Sequence, residues 1–162
     1  MLIRKKSIDE VEVSNLPEPL LTADELDLLE QGVKLFNQGR FWEAHEAWEE
    51  VWRRRPEDSR IFFQGIIQAA AGFHRLFEKP HAGGAARNLG KAILKLNLFP
   101  PVFLGIDVGA LRDAIVVAQS RGVTAANTGF EELRPKLVFR KDLIDRQDGR
   151  HTRRPPTTRE SR

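Results

Sequence analysis

Apolar residues recur along most of this chain at intervals of three and four, the period of a helix with one buried face. Leu26, Leu29, Val33 and Phe36 give the first such run. Thr22-Ala-Asp-Glu25 before it has the form of a capping box, and Gly39 supplies the stop. A second helix is predicted from about Phe41 to Arg54, with Pro56 beyond it. Phe41, Ala44, Trp48, Val51 and Trp52 fall there within one arc of about 100°. A third begins near Asp58 or Ser59 and continues through Phe62 and Phe73 to about Phe77; it is the most apolar, hence the central one. The fourth runs from about Ala82 to Leu96 with Ala85, Leu89, Ala92, Ile93 and Leu96 on one face, and its Gly83-Gly84 start implies close backbone approach to a neighbour. Two prolines keep Leu98 to Gly105 from being helical, yet its large apolar residues predict an ordered loop packed on the bundle. Asp107 then reads as the N-cap of a fifth helix through Leu111, Ile115, Val116 and Ala118, stopped by Gly122. Phe130 to Phe139 is expected to be an extended arm laid on the surface, and no strand pattern of more than about four residues appears elsewhere.

The fold class expected is therefore all-α, a compact bundle of about five helices. Residues 1–20 read as a flexible arm, 21–140 as a single helical domain and 141–162 as a disordered basic tail. A chain of 162 residues with 41% hydrophobic and 30% charged side chains supports one core rather than two. The absence of cysteine excludes thiol chemistry, disulfides and cysteine metal sites, and it fits a reducing compartment. Arg4, Lys5, Lys6, Asp9 and Glu10 stand where a signal peptide would need its apolar run, and no stretch approaches the roughly 18 apolar residues of a membrane span. A cytoplasmic protein without membrane association is expected.

The net charge of +3 suggests nucleic acid until it is located. Arg146, Arg150, Arg153, Arg154, Arg159 and Arg162 face only Asp145, Asp148 and Glu160, so the excess belongs to the tail and the body is neutral. A body without a basic field is not expected to bind nucleic acid specifically.

Candidate chemistry gathers on the second and third helices. His45 and Glu49, one turn apart on the flank of the core arc, form a half-buried polar pair, while Glu43, Glu46 and Glu50 point away. On the third helix Gln64, Gln68 and Arg75 make a polar stripe, with His74 on another flank near Phe63 and Ile67. In an antiparallel hairpin of these helices His45 is level with Gln68 and Glu49 with Gln64, so the four side chains are expected to satisfy one another. The cluster of His45, Glu46, Glu49, Gln64, Gln68 and His74 has two readings. In the first it is structural, and the chain is a scaffold or protein-binding module that recognises another protein or a second copy of itself. In the alternative, His45 and Glu49, with Glu46 or His74, serve a metal-dependent or general acid/base hydrolytic enzyme. His74 stands six residues beyond Gln68, about 9 Å along the axis, which argues against shared coordination. His81 is a substitute that nothing in the sequence places nearby. No metal and no cofactor are expected. There is no Gly-x-Ser-x-Gly elbow, no His-Glu-x-x-His and no tyrosine, and Gly83-Gly84 lacks the flanking signals of a phosphate loop.

The segments Phe36 to Trp52 and Phe63 to His74 together resemble a bacterial family of small helical proteins known as domain of unknown function 309. The shared positions are Gly39, Phe41, Ala44, His45, Glu46, Glu49, Trp52, Gln64, Gly65, Gln68 and His74, with Gly105-Ile-Asp-Val108 later, over roughly residues 25 to 115. The chain departs from that pattern before helix four, where Pro80-His81 stands in place of an Asn. The resemblance implies a helical bundle and no particular activity. A looser similarity of Gly39 to Ala44 to a tetratricopeptide helix pair covers one unit, and a solenoid needs about three.

Overall fold

A computed structural model of the protein describes residues 16–56, 58, 60–78, 82–120 and 134–144. Five helices of more than one turn occur among them: α1 (Ala23–Asn37), α2 (Phe41–Arg54), α3 (Arg60–Phe77), α4 (Ala82–Leu96) and α5 (Val108–Ser120). The all-α expectation holds, and the predicted ends of α2 and α4 match. The start of α1 is the capping box: the Thr22 hydroxyl accepts from the Glu25 backbone N–H at 3.3 Å, and the Glu25 carboxylate accepts from Thr22 N–H at 3.0 Å. Gly39, at φ 77°, turns the chain into α2.

The first four helices pack antiparallel in succession. Phe36 meets Phe41 across the α1–α2 turn, and the Trp48 indole N–H donates 3.1 Å to the Leu29 carbonyl. Phe41 stacks on Phe77 at one end of the α2–α3 pair, while Arg60 lies over Trp52 at the other. The α3–α4 contact is the most extensive. It is close because Gly65 and Gly72 of α3 leave room for Leu96 and Leu89 of α4. A core of Phe36, Phe41, Trp48, Phe62, Phe73 and Phe103 runs between the helices. A buried ion pair, Arg55 with Glu25, ties the end of α2 to the start of α1.

The loop after α4 is ordered and buries Phe99 and Phe103 as expected, but it also contains a small antiparallel hairpin, β1 (Val102–Phe103) and β2 (Ile106–Asp107). Leu104 and Gly105, both at positive φ, make its turn. Asp107 Oδ1 accepts from Ala110 N–H at 2.9 Å, which opens α5 as predicted. The predicted stop at Gly122 lies outside the described residues. Of the expected arm, residues 16–20 are described and lie against the bundle: Pro19 is buried, and Glu18 accepts from Leu104 N–H at 2.7 Å. Of the arm expected at 130–139, residues 130–133 lie outside the described residues; in the rest Leu137 is buried and Phe139 bridges to Ile106. The chain then makes a 3₁₀ turn at Lys141–Leu143; the remainder of the expected tail lies outside the described residues. Among the described residues no helix is long and apolar enough to cross a membrane.

Candidate functional site

The predicted His45–Glu49 pair forms on the flank of α2. His45 Nδ1 lies 3.8 Å from Glu49 Oε2, and Glu49 Oε1 is 3.4 Å from an Arg53 nitrogen. Helical spacing alone produces this ladder, since residues four apart stand one above the other. One turn earlier the Trp42 indole stacks on the His45 ring at 4.6 Å and 11°, while remaining 44% exposed. His74 of α3 approaches the same indole at 5.3 Å, with its Nδ1 2.9 Å from Glu78 Oε2. Two histidine–glutamate pairs thus flank one tryptophan. The predicted axial separation of His74 from Gln68 stands, but His74 reaches the cluster by way of Trp42, because His74 and Trp42 lie on facing flanks of the hairpin.

Gln68 takes a partner from outside the expected four-way network. Its Oε1 accepts from Lys95 Nζ of α4 at 2.7 Å. The reason is azimuthal. Gly65 and Gly72 bring α4 against the side of α3 that bears Gln68. Gln64 is buried beside it, and its Nε2 has no hydrogen-bond partner among the described residues. Glu46 is exposed on the outer face of α2. An imidazole beside a carboxylate can pass a proton, but Arg53 also engages Glu49. Among the described residues no group of three or more histidine, aspartate or glutamate side chains converges as a metal ion would require. His81 lies outside the described residues.

Glu46 lines an open groove between α1 and α2, which Glu49 and Arg53 also line. Leu28, Leu35 and Ala47 form its apolar part, and Glu43, Glu46, Glu49 and Glu50 stand along it with Arg40 and Arg53. The Glu43 carboxyl is held below its ordinary range, first by accepting from its own backbone N–H and then by Arg40, 3.1 Å away.

Sequence reasoning missed Arg60, Lys95 and Trp42 as members of these sites. Arg60 and Lys95 are buried cations, 4% and 8% exposed. Their signal was weak: a lysine at the end of a helix normally extends into water.

The fold and site define a small all-helical protein whose central helix carries a polar seam between its two neighbours. Residues 29–88 match the family model described as Domain of unknown function (DUF309), which is the family that the motif resembles. That span holds all six predicted site residues and ends inside α4, before Lys95. An uncharacterized protein of Aquifex aeolicus (strain VF5) is 32% identical over 105 residues, 64% of this chain and 31% of the relative. The chain thus spans about a third of the length of that relative.

Proposed function

We propose that the chain is a cytoplasmic protein-binding module that takes a basic amphipathic segment of another protein into the α1–α2 groove, and that the His45–Glu49 pair is structural. The observation that supports it is the groove itself: apolar Leu28, Leu35 and Ala47 are bordered by four glutamates of α2, Glu43, Glu46, Glu49 and Glu50. Glu43 and Glu50 already lie within 3.1 Å of Arg40 and Arg53, whereas Glu46 has no ion pair among the described residues. An apolar helix face would displace water from the leucines, and lysines or arginines along its edge would meet the carboxylates. The polar cluster has a packing role, with Trp42 against His45 and His74, and Gln68 held by Lys95.

The test is a titration of the full chain, followed by ¹⁵N NMR, with two synthetic helical peptides of equal length, one Leu/Lys and one Leu/Glu. Shifts confined to α1 and α2 for the Leu/Lys peptide, weakened about tenfold by the double change Glu46→Lys, Glu50→Lys, are expected. Equal shifts with both peptides, or shifts away from the groove, would remove the reading.

A further inference from the structure

On α3 the residues Arg60, Gln64 and Gln68 occupy successive turns of a stripe opposite the core positions Phe62, Ile66, Ala69 and Phe73. Such a stripe normally faces water. Here Arg60 and Gln64 are each 4% exposed, because α2 and α4 rise on either side. Trp52 of α2 lies under the Arg60 guanidinium at 4.1 Å, and Lys95 of α4 reaches Gln68 at 2.7 Å. Along this face of the central helix the seam therefore buries the Arg60 and Lys95 cations and the Gln64 amide, with Gln68 half-buried beside them.

Within it the Gln64 amide nitrogen, a double donor, has no acceptor among the described residues. Buried donors are rarely left so, since one without a partner costs more than a made bond returns. The missing complement is an oxygen lone pair, and the flanking Arg60 and Lys95 favour one that bears negative charge. Glu49, level with Gln64 in the hairpin, is engaged by Arg53 and His45.

We propose that this seam binds a small oxyanion, a phosphate or carboxylate group, with the Gln64 amide donating to it and Arg60 and Lys95 supplying charge. The site is distinct from the α1–α2 groove, which lies on the other side of α2, so it stands or falls separately from the peptide-binding reading.

The test uses the full chain with inorganic phosphate, acetate and, at matched ionic strength, chloride. Thermal unfolding and the Gln64 side-chain NH₂ resonances are followed together. A saturable rise in Tm with phosphate, acetate or both, accompanied by movement of the Gln64 resonances beyond that caused by chloride, is expected. Which anion acts identifies the group bound. Arg60→Leu should weaken the response about tenfold or more, and Gln64→Leu should abolish it while unfolding at a higher temperature than wild type in chloride. If neither anion moves the Gln64 resonances further than chloride does, the proposal is wrong. A Gln64→Leu chain that still responds like wild type would overturn it equally. Because the resonances are read in the unsubstituted protein, the result does not depend on the variants folding.

Discussion

Glu30 of α1 and Lys141, 111 positions later, meet at 2.6 Å, with Lys34 also 3.4 Å from the same carboxylate. The hydrogen bond from Lys141 holds the Glu30 carboxyl below its ordinary range, against a smaller opposing effect of burial. A carboxylate whose pKa is lower folded than unfolded adds stability above its unfolded value and loses it as pH falls through the folded value. Lys141→Met should therefore return the Glu30 pKa toward the ordinary glutamate range, read by NMR of its carboxyl carbon. Both side chains are partly exposed, so water and salt screen the pair, and the change should remove less than about 1 kcal/mol above pH 5. At this scale the sequence was only partly informative about the site. His45 over Glu49 was legible because helical spacing alone imposes it. The partner of Gln68 was not, since a helical wheel gives a residue's azimuth but not which neighbouring helix will occupy it, and Lys95 lies 27 positions away.

The packing of α3 on α4 depends on two glycines. A Cβ on Gly72 would sit 2.6 Å from Leu89 Cδ2 and 3.2 Å from the Leu89 backbone nitrogen, so relief requires α4 itself to move. In α4, Gly90 has nothing within 4 Å of the equivalent position. The two sites set packing against propensity. Gly90→Ala should stabilise the protein by roughly 0.5–1 kcal/mol, since alanine loses less backbone entropy in a helix. Gly72→Ala has the same propensity gain but should destabilise by about 1–3 kcal/mol through overpacking. Urea unfolding of both variants measures the difference, and equal effects would refute the packing argument. The same contrast explains what was readable among the elements. Helix ends were marked by Thr22, Gly39 and Pro56, whose backbone chemistry is local. The β1–β2 hairpin was hidden because its strands are two residues long and Leu104 gives no sign that it will take φ 49°.

The described end of the chain acts as a strap across elements distant in sequence. Asn37, the last residue of α1, clasps Leu137 with both ends of its amide: Nδ2 donates to the Leu137 carbonyl at 2.9 Å, and Oδ1 accepts from Leu137 N–H at 2.6 Å. Two residues on, Phe139 bridges Ile106. Arg140 N–H donates to the Gly105 carbonyl at 2.7 Å, and Asp107 N–H to the Val138 carbonyl at 3.0 Å. The hairpin is thereby completed by the strap and α1 is joined to both. Leu137 and Ile144 are buried, but the strap adds little else to a core that the five helices already close. Its release should consequently be a local opening rather than global unfolding. Asn37→Ala removes both bonds to Leu137, a loss of roughly 1–3 kcal/mol from the strap. Hydrogen exchange at the Leu137, Arg140 and Asp107 amides should then quicken by about ten- to a hundredfold, since each 1.4 kcal/mol is a factor of ten in the opening equilibrium. Amides in the middle of α3 should keep their wild-type rates. If they quicken in parallel, the strap is part of the cooperative core and the helices do not close without it.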